Sequence, residues 1–451
     1  MSAVFEDGLS LFGVRRMMEG VVPPVLCTVS AERVPNVSYL SLCEYVDPLH
    51  VALSYQFFNR SRENVLATRR AALTLDDPYT GAGVVLQLEY LRTETEGPVF
   101  ERLRAKLMGV ASHVGMEKVF HLRGADIYRV LEMRRVPGRK EFPAAAPRVD
   151  LAANSRLLSE RMAHCEDMSE LLDTLLGGLS ELLRIDHAMV WLADPAQPAL
   201  TLLASRGYEV GGAGAEIPLG EGLVGTAVRE GVPIRVGHMM NMATYARAVR
   251  DSAGESGLDA MLGSEIPLPG LKEPRSQLAV PLRARGRVLG ALFVESLHDQ
   301  YFGYDDEDAL MLLGGQFAVA MSLMQPQDLA ETLPPSTARA AAPATGPALR
   351  LKRFCRDNSV FLDDVYLIRG VAGAILWKLV GEYLRSGRRE FTNRELRMAP
   401  ELRLPDVQDN LEVRLLLLQR RLAEQRAAIQ LEKAGRGRMR LLVERPVTLE
   451  A

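Results

Sequence analysis

Three neighbouring polar residues, Arg60, Ser61 and Arg62, are of types that bind phosphate groups. They stand at the start of residues 61–70, whose composition predicts a short helix. Two guanidinium groups, one hydroxyl and the free N–H groups of a helix N-terminus can converge on a single dianion. The sequence therefore predicts a phosphate site here, with an exposed arginine pair at a helix start as the alternative.

A second group of basic residues lies near the C-terminus. Lys433, Arg436, Arg438 and Arg440 surround the tip of a hairpin predicted over residues 429–443. Of the 54 basic and 57 acidic residues in the chain, 21 and 14 lie in residues 350–451, which leaves 33 and 43 for the rest. A basic domain on an acidic body favours a polyanion as the partner of that domain alone.

No other pattern predicts catalytic or metal chemistry. The seven histidines form no HExxH or HxH arrangement, and the glycines at 435 and 437 lack the Lys-Ser/Thr pair of a phosphate-binding loop. We therefore predict no catalytic residue and no metal site. The four cysteines, which have no CxxC or paired spacing and are interpreted as ordinary thiols, are Cys27, Cys43, Cys165 and Cys355.

Length and composition predict several soluble domains. A chain of 451 residues is too long for one core, and a hydrophobic content of 47% with 25% charged residues is typical of globular proteins. No apolar run approaches membrane-spanning length, and the first seven residues lack the basic segment of a signal peptide. We expect a cytoplasmic protein with no membrane partner.

Two stretches rich in Pro and Ala, residues 137–152 and 326–349, divide the chain. These stretches predict several domains, and the strands and helices predicted within the domains indicate a multidomain α+β protein. The predicted divisions are residues 1–142, residues 156–324, a linker at 326–349, and residues 350–451.

Residues 1–142 are predicted to be mainly strands, beginning with a hairpin at 24–30 and 35–42. Further strands are expected at 49–55, 71–75, 84–93 and 126–134, with a helix near 98–108. The hairpin, the segment 58–67 leading into 70–75, and the closing segment 122–130 together resemble the pyridoxamine 5'-phosphate oxidase-like, FMN-binding split barrels.

That resemblance implies the fold of a split β-barrel that binds FMN. The flavin phosphate would lie at Arg60, Ser61 and Arg62, with a partner subunit completing the pocket. The isoalloxazine would lie beside the strand residues Val37, Ser38 and Tyr39. Members of this superfamily can also lose the flavin or bind other cofactors, and no substrate phosphate site of a pyridoxamine oxidase is identifiable, which weakens an enzymatic interpretation.

Residues 156–324 follow a different pattern. Apolar spacing predicts one amphipathic helix over 157–183, strands at 187–193 and 199–205, a strand hairpin within 277–295, and a helix at 304–323. With the glycine turn Gly220, Gly222, Gly225, this order resembles a GAF domain, an α/β sandwich with an antiparallel sheet. The resemblance implies an unknown small-molecule ligand and flanking helices that associate in a homodimer, or pack only on their own sheet.

The choice of GAF ligand stays open. A covalent bilin needs a cysteine near the pocket, and the only cysteine of this segment, Cys165, is predicted on the first helix, so a bilin is disfavoured. The Asn–Lys half of the cyclic-nucleotide signature is absent. The loop 237–275 is expected to cover the pocket. Its His238, Met239, Met240 and Met242 are expected either to touch a ligand or haem or to serve as adaptable packing.

Residues 350–451 are predicted to contain three helices before the basic hairpin. The first spans 369–385, the second begins at the capping box of Thr392 and Glu395, and the third runs from Asp406 to Glu424. This order resembles the winged-helix effector domains of response regulators. The resemblance implies binding of duplex DNA through the third helix and the hairpin.

By that resemblance, the third helix and the hairpin supply different DNA contacts. The third helix would present Asn410, Arg414 and Gln419 to the bases. Arg436, Arg438 and Arg440 would contact phosphates. The alternatives are a winged helix used for dimerisation or partner binding, or an arginine-rich exposed face.

The leading hypothesis is a dimeric signalling and transcriptional regulator that senses redox state or a small ligand and binds DNA. The alternative is an FMN-dependent oxidoreductase with regulatory GAF and protein-interaction domains. A third hypothesis is a scaffold with a degenerate barrel and a protein-binding tail.

Overall fold

The structure is a computed structural model that describes residues 4–18, 22–40, 42–55, 60–77, 79–113, 122–137, 148–193, 198–237, 269–324, 347–354, 357–402, 411–435 and 437–450. These residues form four sheets. We refer to residues 4–137, 148–324 and 347–450 as the N-terminal, middle and C-terminal domains. Among the described residues, no helix is long and apolar enough to cross a membrane.

The N-terminal domain is one eight-stranded sheet with two helices. Its elements are β1 (Val4–Phe5), β2 (Val25–Val29), β3 (Pro35–Tyr39), β4 (Cys43–Asp47), β5 (His50–Tyr55), α1 (Arg60–Thr68), β6 (Arg70–Asp76), β7 (Gly83–Glu94), α2 (Pro98–His113) and β8 (Gly124–Arg135). The order is β3-β2-β6-β7-β8-β5-β4, with antiparallel neighbours, and β1 pairs parallel with β8. Alternating burial along β6 places Leu73 and Leu75 in the core, as period-two patterning requires.

The middle domain is a six-stranded antiparallel sheet covered on both faces. Its elements are α3 (Leu151–Ala163), α4 (Met168–Leu183), β9 (His187–Ala193), β10 (Ala199–Arg206), β11 (Glu216–Pro218), α5 (Gly222–Glu230), β12 (Ile234–Val236), β13 (Ser276–Ala284), β14 (Arg287–Ser296) and α6 (Tyr304–Leu323). The strand order is β11-β10-β9-β14-β13-β12. The helices α3, α4 and α6 belong to the core on one face, and α5 belongs to the core on the other.

The single helix predicted over 157–183 is wrong, because the chain contains two helices there. α3 ends at Ala163, and the backbone of Asp167 is extended. The Asp167 carboxylate accepts the N–H of Glu170 at 3.0 Å, so Asp167 caps the start of α4. The apolar periodicity continues across this break, which is why it hides the boundary.

The C-terminal domain combines two small sheets with three helices. Its elements are β15 (Leu349–Phe354), β16 (Ser359–Leu362), β17 (Val365–Ile368), α7 (Gly370–Ser386), β18 (Glu390–Thr392), α8 (Asn393–Arg397), α9 (Leu411–Glu424), β19 (Ile429–Gly435), β20 (Arg438–Val443) and β21 (Val447–Glu450). The sheets have the orders β17-β16-β15-β21 and β18-β20-β19. The predicted capping box is confirmed, since Thr392 and Glu395 exchange hydrogen bonds of 3.2 and 3.0 Å. The predicted start of the third helix at Asp406 lies outside the described residues.

A buried ion pair fixes α2, which joins the N-terminal domain to the middle domain. The Lys106 ammonium lies 2.6 Å from Oε2 of Glu44 on β4, and both side chains are largely buried. The same helix packs against α5, and its Arg104 pairs with Glu230 there. α2 therefore connects the two domains through charges as well as packing.

Removing the negative charge at Glu44 should destabilise the protein. In Glu44→Gln the Lys106 ammonium stays buried without its counterion, so we expect the free energy of unfolding to fall by about 3–5 kcal/mol. The double variant Glu44→Gln/Lys106→Met buries no charge and should recover much of that loss. Urea denaturation measures both, and Glu89→Gln, which removes a more exposed partner of Arg70, is the control. Equal losses in Glu44→Gln and Glu89→Gln would contradict the prediction.

Candidate functional site

The structure brings Ser61 of the predicted phosphate site against strand β3. The Ser61 hydroxyl is buried and lies 2.8 Å from Nδ2 of Asn36 and 2.8 Å from Oγ of Ser38. Along β3, the side chains alternate, so Val37 and Tyr39 lie on the opposite face and are 65% and 78% exposed. Ser38 therefore lies on a different face of β3 from Val37 and Tyr39, and contact of these three residues with a flavin stays a prediction.

Arg62 is engaged inside the N-terminal domain. Its Nη1 lies 2.6 Å from both carboxylate oxygens of Asp126, its Nη2 donates to Thr93 at 3.1 Å, and its guanidinium stacks 3.6 Å from the Tyr55 ring. A phosphate would have to compete with the Asp126 carboxylate for this cation.

Arg60, by contrast, is exposed at the first residue of α1. Residues two apart on an α-helix project from different sides. Convergence of both guanidinium groups on one dianion would require Arg62 to leave Asp126, and it stays a prediction. The exposed Arg60 and the first N–H groups of α1 are the expected donors that fit a flavin phosphate. Flavin binding stays a prediction.

A buried polar cluster on the middle domain's sheet was not predicted from sequence. Glu295 on β14 is 4% exposed and accepts hydrogen bonds from Gln277 Nε2 at 2.6 Å, Tyr208 Oη at 3.0 Å and the Leu271 N–H at 3.1 Å. The ring of His187 packs edge-on against Tyr208 at 5.5 Å. By the two-residue period of the strands, Glu295 lies on the face that carries Phe293 and α5.

Burial makes the Glu295 carboxyl a weaker acid than usual. The loss of solvation raises its pKa, although the hydrogen bonds from Gln277, Leu271 and Tyr208 favour the carboxylate. Val236 pairs with Gln277, and the N–H of Leu271 binds Glu295, so described residues on both sides of the loop 237–275 adjoin this end of the sheet. The loop residues His238, Met239, Met240 and Met242 themselves lie outside the described residues.

The structure separates the predicted DNA contacts into different environments. Arg414 lines a pocket of about 90 Å³ between the middle and C-terminal domains, together with Glu216 and Arg369. Gln419 and Arg438 are half-buried. Arg440 pairs with Glu390 across the β18–β20 ladder at 2.7 Å. The remaining two, Asn410 and Arg436, lie outside the described residues.

Basic residues around α9 face acidic residues of the middle domain. Arg420 lies 2.8 Å from Asp173 on α4, and Lys433 on β19 lies 2.6 Å from Asp167. Arg369, just before α7, pairs with Glu216 on β11. Ion pairs therefore join three parts of the C-terminal domain to the middle domain.

The end of α9 is also held by the main chain of the middle domain. The Glu424 carboxylate accepts the N–H of Ala213 at 3.2 and 3.3 Å. A side chain at Gly211 would meet the Glu424 carboxylate, because a Cβ there would lie 2.2 Å from its Oε1. A side chain at position 211 would therefore displace this carboxylate, and the close approach places the third helix directly on the segment that follows β10.

Comparison with known proteins identifies the middle domain. Residues 165–322 match the GAF domain family, which confirms the predicted GAF domain. No curated protein matches the chain. A GAF domain supports a ligand-sensing role in signalling.

Several solved structures share low similarity with parts of the chain. The GAF domain of an Acinetobacter phosphoenolpyruvate-protein phosphotransferase is 22% identical with a TM-score of 0.30, covering 38% of this chain and 92% of that one. The free methionine-R-sulfoxide reductase of Neisseria meningitidis, in complex with its substrate, is 20% identical with a TM-score of 0.29, covering 39% and 92%. An FMN-binding protein of Syntrophomonas wolfei subsp. wolfei is 17% identical with a TM-score of 0.24, covering 28% and 86%.

The buried Glu295 should make the GAF domain more stable in mild acid. Because its pKa is raised in the folded state, the folded protein takes up this proton at a higher pH than the unfolded chain does. The stabilisation is full below the ordinary carboxyl pKa and is lost as pH rises through the raised value. Each unit of difference between the folded and unfolded pKa contributes about 1.4 kcal/mol.

The measurement is urea denaturation between neutral and mildly acidic pH. Relative to Glu295→Gln, the wild type should gain free energy of unfolding as pH falls. Glu221→Gln, at an exposed glutamate before α5, controls for the loss of a carboxyl. Parallel pH profiles for wild type and Glu295→Gln would refute the assignment.

Proposed function

We propose that this protein is a signalling regulator in which a ligand of the GAF domain controls binding of duplex DNA by the C-terminal domain. The observation that carries the proposal is the contact between α9 and the GAF domain. Arg420 and Lys433, near the surface that would meet DNA, are held by Asp173 and Asp167. These carboxylates occupy the role that DNA phosphates would take, so the GAF domain and DNA compete for the same cations.

The order of elements in the C-terminal domain supports a winged helix. Three helices, α7, α8 and α9, precede the β19–β20 hairpin, and β18 between the first two helices completes a three-stranded sheet with β20. In winged helices, the third helix enters the major groove and the hairpin contacts the adjacent backbone. The basic balance of residues 350–451 supports a polyanion as the partner.

One segment connects the polar cluster of the GAF domain to α9. Tyr208 donates to Glu295, and five residues later the N–H of Ala213 is bound by Glu424. Between them, Gly212 lies close to Pro269, because a Cβ there would meet Pro269 Cδ at 2.3 Å. A ligand that displaces Tyr208 from Glu295 would therefore move the chain that holds α9.

The outer face of α6 supports a homodimer. Leu312, Val319 and Leu323 follow helical spacing along one side of α6 and are 72%, 45% and 63% exposed. The opposite side of the same helix is buried in the GAF core, where Leu310 and Phe317 lie. A helix that is apolar on both sides is stabilised when a second surface covers it.

Weakening the contact at Asp173 should increase affinity for DNA. In Asp173→Lys, the new cation repels Arg420, and we expect binding of a labelled DNA duplex to tighten about tenfold, which corresponds to about 1.4 kcal/mol. The matched control is Glu181→Lys, which makes the same charge change on the same helix. Glu181 pairs with Arg161 within the GAF domain.

Fluorescence anisotropy at several salt concentrations separates the two parts of this proposal. If no variant binds DNA with an affinity that falls as salt rises, the DNA-binding function is rejected. If all three proteins bind DNA equally, the function stands, but competition by the GAF domain is rejected.

A flavin cofactor in the N-terminal domain would add redox sensing to this function. The hydrogen bonds that join Ser61 to Asn36 and Ser38 bring α1 beside β3, which supports a site at this corner. When bound, a flavin supplies one- and two-electron chemistry. The exposed Arg60 and the first N–H groups of α1 would hold its phosphate. An FMN-dependent oxidoreductase is the alternative function.

The visible absorption spectrum of the purified protein tests for flavin. We expect flavin bands in the wild type and their loss in Arg60→Ala, because Arg60 is the exposed cation at the helix start. Arg70→Ala removes another exposed arginine, at the start of β6, and should keep the bands. A wild type without flavin bands, even after incubation with FMN, would exclude both flavin sensing and the oxidoreductase.

A further inference from the structure

A groove of about 440 Å³ runs along α7 in the C-terminal domain. Its floor is apolar and consists of Ala374, Trp377, Gly381, Leu384, Leu402 and Leu449. The α7 residues recur every three or four positions, so they lie on one side of the helix. With a rise of about 1.5 Å per residue, the side from 374 to 385 is about 16 Å long.

The depth of the groove comes from Gly381. A Cβ at this position would meet only Leu449 Cδ1, at 3.9 Å, which is an ordinary contact. The space in front of the helix is therefore open to an incoming side chain. A groove 16 Å long accommodates about five residues of extended chain.

The rim of the groove is positively charged. Arg353 donates to Asn358 Oδ1, with its Nε at 3.1 Å, and its guanidinium lies 5.7 Å from the ring of Trp377. Arg385 donates from Nε to the Gly381 carbonyl at 3.2 Å. Both acceptors are neutral, and within the described part of the chain neither arginine forms an ion pair with a carboxylate. The third rim cation, Lys378, pairs with Glu382 at 2.9 Å.

We propose that this groove docks an acidic, apolar peptide segment of a partner protein. Arg353 and Arg385, whose described acceptors are neutral, complement carboxylates, whereas Trp377 and the leucines complement aliphatic side chains. The lining residues of α7 follow one side of the helix over about 16 Å, which suits an extended segment. This inference does not rest on DNA binding by the protein.

The groove is separate from the candidate DNA surface. Its described lining residues belong to β15, α7, the turn at Pro400–Leu402 and β21, and none belongs to α9, β19 or β20. An apolar floor around Trp377 also offers little to a phosphate backbone, which is bound by cations and hydrogen-bond donors. A partner could therefore dock while α9, β19 and β20, which do not line the groove, contact the GAF domain or DNA.

The test uses the full-length protein and labelled synthetic peptides. The main probe is a capped peptide of alternating Asp and Leu, compared with an Asp/Ser peptide of the same charge and a Lys/Leu peptide. We expect only the Asp/Leu peptide to bind in fluorescence anisotropy and to shift the Trp377 emission. The chain's other tryptophan, Trp191, is 1% exposed and should not respond.

Two substitutions locate the binding in the groove. Gly381→Gln should weaken the Asp/Leu peptide at least about tenfold by filling the floor, and Arg385→Gln should weaken it about threefold or more. Ala67→Gln places the same side chain at an exposed position of α1, outside the groove, and should leave peptide binding unchanged. Circular dichroism checks that each variant is folded.

The outcomes decide the proposal in either direction. Selective binding of the Asp/Leu peptide that Gly381→Gln abolishes supports it. Equal binding of the Asp/Ser peptide, binding that Gly381→Gln leaves unchanged, or no peptide binding by the wild type would overturn it.

Discussion

The sheet of the GAF domain is covered on both faces by different parts of the chain, and the remaining structure depends on this constraint. On one face, Leu278 and Leu292 share a continuous apolar core with α4, α6 and the C-terminal domain. On the other, Ala279 and Phe293 pack with α5, and Ala105 of the N-terminal helix α2 reaches the same core. Both neighbouring domains therefore complete the burial of one sheet, and burial of apolar area is the dominant stabilising term.

Apolar burial holds the domains together, whereas charged pairs fix which surfaces meet. The Lys106–Glu44 pair orients α2, and the Arg420–Asp173 pair orients α9. The first pair is buried and the second is largely exposed at Asp173. A buried pair is costly to break because the remaining charge cannot be solvated, but an exposed pair is worth little and is screened by salt. The contact with the C-terminal domain is therefore the one suited to reversible release.

Local signals in the sequence predicted local structure. The capping box of Thr392 and Glu395 needs only residues three apart, and the GAF strands follow from apolar runs between glycine turns. The pairing of Arg62 with Asp126 joins residues 64 positions apart, so residue types at 60–62 alone favoured a phosphate site. The same holds for Glu295, whose partner Gln277 lies on β13 and whose partner Tyr208 lies in the segment after β10. The strands of residues 349–368 were not predicted, although apolar and charged residues alternate in β15 as in a half-buried strand.

The proposed coupling between the GAF polar cluster and α9 would act in both directions. If a ligand near Glu295 weakens the hold of residues 208–213 on Glu424 and so favours DNA binding, then occupation of α9 by DNA must strengthen ligand binding by the same factor. The size of this factor is limited by the contacts that differ between the closed and released states. Three contacts differ between these states. They are the hydrogen bond from the Ala213 N–H to the Glu424 carboxylate, the exposed ion pairs, and the apolar surface of α9 that is buried against the GAF core only in the closed state. Since the ion pairs contribute little in salt, the apolar surface and the Glu424 contact set the strength of the coupling.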